Sequence, residues 1–137
     1  MYTIEKISSE EARQLIDVVV QEATKINKAV AVAVTGPEGE LIAFLRMDGV
    51  SPAASRIAQN KAYTSACDRK TTREMGEFME GQHRPQAYWG DRGITGFGGG
   101  VPVMSNGKVI GGIGVSGLSE TEDERICHAA VHNVYRD

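Results

Sequence analysis

Two side chains of opposite charge interrupt stripes of residues that otherwise predict buried helix faces. Lys61 lies within a small-residue stripe between positions 54 and 65, and Asp123 lies three residues before Ile126 and four before Cys127. A buried ammonium or carboxylate must find a counter-ion or lose its charge. The pattern predicts either a structural ion pair or an anchor for an anionic ligand, and in an enzyme either group could transfer protons.

The three histidines fall in two settings. His83 lies in a loop with Trp89 and other aromatic and cationic residues, where an imidazole could act as an acid or a base. His128 and His132 are four residues apart, a helical spacing that can hold a metal. Both point away from the apolar stripe and no third ligand is near. They therefore also fit surface or subunit-interface positions, and we predict no metal site.

Two glycine-rich segments flank the last predicted hairpin. Gly98, Gly99 and Gly100 enter it, and they either form a flexible turn or present backbone N–H groups to a carboxylate. Residues 112–117 match the G-x-G-x-x-G pattern of dinucleotide-binding folds. No second parallel strand and no acidic ribose ligand follow, so we reject that function. We expect these glycines to let a helix or a ligand approach the strand closely.

The first half of the chain predicts a helix, a hairpin and two further helices. A capping box of Ser8 and Glu11 opens the first helix. Two apolar strands, over 29–35 and 41–46, are joined by a short turn and should pair antiparallel. Ser51-Pro52 opens a helix that runs to about residue 67, and a second capping box opens a short helix that ends near residue 80.

The second half predicts a long loop, a second hairpin and a final helix. Residues 81–100 lack a clear period, and loops of this length are usually functional or mobile. Strands over 101–105 and 108–116 flank Asn106-Gly107, which favours a type I′ turn. A third capping box, of Ser119 and Glu122, opens the last helix. Hairpins build antiparallel sheets, so the predicted fold class is α+β.

Size and charge narrow the functional classes. The 137 residues fit a single domain, 1–137, and the net charge of −3 without a Lys/Arg cluster excludes nucleic-acid partners. No apolar run is long enough to cross a membrane, and the first residues lack the pattern of a signal peptide. Cys67 and Cys127 have no metal-type spacing, so we expect two free thiols in a cytoplasmic protein.

Five short segments recur together along nearly the whole chain. They are Arg46-Met47-Asp48-Gly49, Lys61-Ala62, Gly98-Gly99-Gly100-Val101-Pro102, Gly111-Gly112-Ile113-Gly114-Val115-Ser116-Gly117 and Glu122-Asp123-Glu124. Their order and spacing resemble the GlcG/HbpS family, which includes the C-terminal domain of PduO. The resemblance implies a profilin-like α+β fold with a five-stranded antiparallel sheet packed by helices. It also implies a homo-oligomer, often an octamer, and haem binding in several members.

The leading hypothesis is a small-ligand-binding oligomer, with haem or a related tetrapyrrole as the ligand, accessory to a catabolic or redox pathway. Cations, backbone donors and a helix N-terminus would suit a small anionic ligand. His83 is the candidate haem ligand, next to Trp89. The other expected ligand-binding residues are Arg46, Lys61, Gly98, Gly99, Gly100, Ser116, Gly117 and Glu122.

Two other hypotheses stay open. A cofactor-free enzyme acting on a small carboxylate or enolisable substrate would use Lys61 or Asp123 as acid or base, with glycine N–H groups stabilising an oxyanion. A structural or accessory subunit would bind no ligand. For assembly, we expect the small-residue stripe of the second helix or the histidine-bearing face of the last helix to be buried against another subunit.

Overall fold

The computed structural model describes residues 1–136 and confirms the predicted α+β class. A short 3-10 helix over Gln86–Trp89 interrupts the long loop that was predicted without structure. The helices and strands, in chain order, are α1 Ser9–Lys25, β1 Ala31–Thr35, β2 Leu41–Arg46, α2 Pro52–Asp68, α3 Thr72–Gly81, β3 Gly100–Ser105, β4 Lys108–Ser116 and α4 Glu120–Tyr135.

The sheet contains four strands in the order β2-β1-β4-β3, and every neighbouring pair is antiparallel. The expectation of five strands is therefore wrong, and the profilin-like assignment is not confirmed. β4 is longer than β1, and the segment before α1 lies beside the uncovered part of β4. There Ile7 N donates to Ile110 O at 3.0 Å, and this single bond does not build a ladder.

Different helices cover the two faces of the sheet. α2 covers one face, where Ala54 and Ala58 pack against Ala31 of β1. α1 and α4 cover the other face, and a large cluster of apolar side chains fills the space between them and the sheet. Its largest fully buried side chains are Ile7, Leu15, Val19, Val30, Val32, Val34, Val103, Ile113, Val115 and Ile126.

The glycine pattern of β4 allows α2 to approach the sheet closely. A Cβ atom at Gly112 would collide with the carbonyl oxygen of Ala62, and one at Gly114 would collide with that of Ala58. The expectation that these glycines admit a helix is confirmed. The small-residue stripe of α2 is thus used within the subunit, which leaves the histidine-bearing face of α4 for the predicted subunit contact.

The predicted capping and turn residues are confirmed at most ends of the helices and strands. The capping boxes at Ser8 and Thr71 are complete. At Ser119 only half of the predicted box forms, because the Glu122 side chain pairs with Arg125 instead of returning to the cap. Asn106 and the following glycine both have positive φ, of 51° and 76°, which confirms the type I′ turn.

Three further findings concern membrane spans, metal sites and thiols. No helix among residues 1–136 is long and apolar enough to cross a membrane. Within the same residues, no group of three His, Cys, Asp or Glu side chains is arranged to hold a metal ion. Cys67 is exposed, Cys127 is buried, and both are free thiols.

Candidate functional site

The structure pairs Lys61 with Asp123 at the junction of α2, β4 and α4. The Lys61 ammonium donates to Asp123 Oδ2 at 3.0 Å and to Val115 O at 2.8 Å. The other carboxylate oxygen accepts the Leu118 N–H at 3.2 Å. Lys61 is 2% exposed and Asp123 1%, so both charges are withdrawn from water and compensated by each other.

Burial disfavours the ionised form of Asp123. Loss of water raises the pKa of Asp123 above its ordinary value, although the Lys61 ammonium and the Leu118 N–H act in the lowering direction. The thiol of Cys127 lies in the same buried region, and burial also raises its pKa. Cys127 Sγ donates to Gly99 O at 3.2 Å, so this thiol is a packed donor rather than a nucleophile.

A small cavity of about 190 Å³ lies against the ion pair, and we call it the Lys61 pocket. Ser116, one of the expected ligand-binding residues, is 6% exposed and lines it. Pockets for drug-sized ligands usually measure roughly 300–1,000 Å³, so within one subunit this cavity suits only a small molecule. Its remaining lining residues are Ile57, Phe97, Leu118 and Glu120.

Two of the three expected glycine N–H donors are already engaged by the protein. Gly98 N donates to Glu120 Oε1 at 2.6 Å, and Gly100 N donates to Thr72 Oγ1 at 2.8 Å. Gly99 has a φ of +124°, and a Cβ atom there would lie 2.6 Å from Lys61 Nζ. The turn therefore closes over the ion pair, and the Glu120 carboxylate brings negative charge to the pocket.

Several expected site residues lie away from this pocket. Arg46 is separated from Ser116 by β1, because both pair with Ala31, and its Nε donates to Val50 O at 3.0 Å. Gly117 leaves β4 with a φ of +132°. Glu122 is held by Arg125 on the outside of α4. None of these three lines the Lys61 pocket.

The loop residues His83 and Trp89 form a separate surface. His83 is exposed and has a φ of +53°. Trp89 packs edge-on against Phe78, with ring centroids 6.1 Å apart and an interplanar angle of 77°. Neither side chain lines the Lys61 pocket, where Phe97 and Glu120 are present instead. The position of Phe97 directly before Gly98 and that of Glu120 directly after the predicted cap Ser119 were the available sequence signals.

A second and larger cavity, of about 440 Å³, lies between β3 and α4, and we call it the β3–α4 groove. His128 and His132, predicted as surface or interface residues, are exposed and line it. His128 Nε2 lies 3.4 Å from Glu124 Oε2. The groove also contains Thr71, Val101, Pro102, Met104, Val131, Tyr135 and Arg136.

Tyr135 gives the β3–α4 groove an unusual polar group. Its hydroxyl is buried and has no hydrogen-bond partner in the described part of the chain. Burial, together with the charge of Glu11, raises the pKa of Tyr135 to about 12, so the group stays a neutral phenol. A buried polar atom without a partner is uncommon in native proteins and calls for an explanation.

Comparisons with known proteins agree with the motif pattern. The family model described as "Haem degrading protein HbpS-like" matches residues 7–132. Protein GlcG of Escherichia coli K12 is 36% identical over 110 residues, which cover 80% of this chain and 81% of GlcG.

Two solved structures extend the match to the fold. Klebsiella pneumoniae protein ORFY superposes with a TM-score of 0.91 at 28% identity, covering 98% of this chain and 94% of ORFY. A structure described as the PduOC:Heme complex superposes with a TM-score of 0.85 at 25% identity, covering 92% of this chain and 93% of its own. With nearly the whole chain matched in sequence and in fold, the protein belongs to the HbpS-like family.

Proposed function

We propose that this protein binds haem or a closely related tetrapyrrole in the β3–α4 groove. Two comparisons support a haem-related ligand: the family description refers to haem, and one structural neighbour is a haem complex. The observation that carries the location is the groove itself. The groove places two imidazoles beside an apolar wall. Its volume of about 440 Å³ lies within the range of small-molecule binding sites.

The residues of the groove fit the chemistry of haem. Imidazole is the commonest protein ligand of haem iron, and Val101, Met104 and Val131 would face the macrocycle. His128 is held near the Glu124 carboxylate, whereas His132 has no such partner in the described residues. We therefore assign His132 as the iron ligand. When bound, the group supplies a redox-active iron.

Charge in the groove suits the edge of the macrocycle. Arg136 lines the groove, is exposed, and uses its Nε to donate to Asn133 O at 3.1 Å. Its remaining guanidinium donors could bind a propionate. Tyr135 also lines the groove, and its buried hydroxyl has no hydrogen-bond partner in the described residues. In contrast, the Lys61 pocket has one cation that is already paired and a cavity of only about 190 Å³.

The decisive experiment is a titration of the full-length protein with haem, followed by its Soret absorption. Wild type should saturate, and His132→Ala should weaken binding by more than about tenfold, or about 1.4 kcal/mol. His83→Ala is the matched control, since it removes another exposed imidazole that does not line the groove. Absence of saturable binding by wild type would refute the function. If His83→Ala loses haem binding while His132→Ala binds haem normally, the proposed location in the β3–α4 groove is wrong.

A second candidate function is supported by one observation at the Lys61 pocket. There a carboxyl with a raised pKa lies beside a buried lysine, a combination that recurs in acid–base sites. In this case the protein would be a cofactor-free enzyme that acts on a small carboxylate or enolisable substrate, with Asp123 as the proton donor. Assembly into a homo-oligomer remains a prediction.

A further inference from the structure

A third cavity, of about 540 Å³, lies at the turn end of the β1–β2 hairpin, and we call it the α2–β1 groove. It shares no lining residue with the Lys61 pocket or with the β3–α4 groove. Its floor comes from β1, one wall from the outer polar face of α2, and the other wall from the loop after the 3-10 helix. The residues that matter are Thr35, Arg56, Asn60, Tyr63, Asp91 and Gly93.

The floor of the α2–β1 groove contains a polar atom that the protein leaves unsatisfied. Thr35 is 2% exposed, and its hydroxyl has no hydrogen-bond partner in the described residues. It lies where the β1–β2 register shifts, between Val34 and Thr35. A buried hydroxyl without a partner destabilises the fold unless something else binds it. A ligand in the groove would supply the missing partner.

The two walls supply complementary charges. Arg56 is exposed, and within residues 1–136 its guanidinium has no carboxylate within 4.0 Å. Asn60 follows one helical turn later and lines the same cavity. Opposite them, Asp91 is held in place because Oδ2 accepts from the Tyr63 hydroxyl at 2.6 Å and Oδ1 accepts from Gly93 N at 2.9 Å.

The Asp91 carboxylate is a fixed acceptor at neutral pH. Its two hydrogen bonds lower its pKa, and the same contact raises the pKa of Tyr63 to about 12, so that the phenol remains a donor. A carboxylate has about four acceptor positions, and two of them are used here. The remaining positions can accept hydroxyl groups from a ligand.

We infer that the α2–β1 groove binds a small polyhydroxylated carboxylate, such as a sugar acid. A guanidinium pairs with a carboxylate through two parallel hydrogen bonds, which places the acid group of the ligand on Arg56. The ligand hydroxyls then reach Asn60, Asp91 and the buried hydroxyl of Thr35. This site is independent of the proposed tetrapyrrole site, because the two cavities have no residue in common.

The test uses three six-carbon probes with matched size and different chemistry. Gluconate carries both groups, sorbitol lacks the carboxylate, and hexanoate lacks the hydroxyls. Calorimetric titration of the full chain should show saturable binding of gluconate and at least tenfold weaker binding of the other two. Amide NMR signals of Asn60, Asp91 and Gly93 should shift with gluconate. No saturable gluconate binding, or hexanoate bound as tightly as gluconate, would overturn the proposal.

Variants locate the site. Arg56→Gln should weaken gluconate at least tenfold, and Thr35→Val should weaken it while the melting temperature stays equal or rises, because the orphaned hydroxyl is gone. Arg13→Gln, on the exposed face of α1, is the matched control and should bind normally. Unchanged affinity in Arg56→Gln would overturn the assignment. If gluconate fails to bind and Arg56→Gln changes the sedimentation of the protein, the groove is a subunit contact and the inference is wrong.

Discussion

The Lys61 pocket and the β3–α4 groove are both built on α4, yet they treat polar groups in opposite ways. In the pocket, Lys61 donates to Asp123 and to the Val115 carbonyl, the Gly98 N–H donates to Glu120, and little donor capacity is left over. In the groove, the His132 imidazole and the Tyr135 hydroxyl have no such partners among the described residues. Buried charges that compensate each other indicate a structural pair, whereas an unpaired imidazole and a phenol without a partner beside an apolar wall indicate a ligand.

The difference follows from position along α4. Asp123 lies in the first turn of the helix, where the N-terminus favours negative charge and Lys61 is within reach. His128 and His132 lie later on the outer face, beside the edge strand β3. One helix therefore presents a structural ion pair at its beginning and candidate ligand groups at its end. Each of the following predictions tests this division.

The largest effect is expected from breaking the ion pair. Lys61→Met removes the charge and leaves Asp123 buried and unpaired, which should lower the free energy of unfolding by about 3–5 kcal/mol. Haem affinity should stay within about twofold, because the β3–α4 groove is untouched. Chemical denaturation and haem titration of the same variant measure both quantities. A stable Lys61→Met protein that has lost its ligand would reverse the comparison.

A double variant separates charge from packing. Lys61→Met combined with Asp123→Leu should recover most of the lost stability, since a buried pair replaced by apolar groups is often neutral. Lys70→Met is the control for removal of a lysine, because Lys70 is partly exposed and its pairing with Asp68 is weak at 3.5 Å. A double variant as unstable as the single one would show that packing, not charge, sets the cost.

The next effect concerns the close contact that places Lys61 over the sheet. Gly114→Ala should cost about 1–3 kcal/mol, because the new Cβ collides with the Ala58 carbonyl and must push α2 outwards. Gly81→Ala, at the end of α3, is the control, since a Cβ there meets nothing within 4 Å. In thermal denaturation, the melting temperature of Gly114→Ala should fall below that of wild type. The melting temperature of Gly81→Ala should equal or exceed that of wild type.

Sequence reasoning recovered most of the fold because the signals were local. The capping residues Ser8 and Thr71 and the Asn106 turn act within a few positions of themselves, and all three are confirmed. The strand count came instead from the family resemblance. It failed because, among the described residues, the segment before α1 makes one backbone hydrogen bond to the sheet, from Ile7 to Ile110, and no local pattern encodes how long a ladder will be.

The site was recovered only in part. Helical periodicity placed Lys61 and Asp123 each on an inward face, and it left open whether they form a structural ion pair or anchor an anionic ligand. That the Gly98 N–H is taken by Glu120 could not be seen, because the two residues are 22 positions apart and meet through the geometry of a loop. The groove around His132 likewise depends on how β3 lies beside α4, which no single segment determines.

A smaller effect tests the unsatisfied hydroxyl in the β3–α4 groove. Tyr135→Phe removes a buried donor that has no partner, so the free energy of unfolding should stay equal or rise by up to about 1 kcal/mol. Tyr63→Phe is the matched control. It deletes the hydrogen bond to Asp91 and should lose about 1 kcal/mol. If Tyr135→Phe is clearly less stable than wild type, the Tyr135 hydroxyl has a partner, and one argument for a ligand site in the groove fails.

The smallest effect is a pH dependence of the Tyr63–Asp91 contact. The hydrogen bonds from Tyr63 and Gly93 lower the pKa of Asp91 below its ordinary value of 3.8. Since the folded pKa is the lower one, the ionised carboxylate favours the fold above the ordinary value, and this contribution is lost as the pH falls through the folded pKa. The difference in free energy of unfolding between wild type and Tyr63→Phe, measured by urea denaturation, should therefore be full at pH 6 and narrow in stronger acid.

The control is the difference in free energy of unfolding between wild type and Tyr135→Phe. It should not change over this range, because the pKa of Tyr135 is raised to about 12. A Tyr63→Phe gap that stays constant in acid would mean that the contact does not depend on the charge of Asp91, and the α2–β1 groove would then lack its fixed anion.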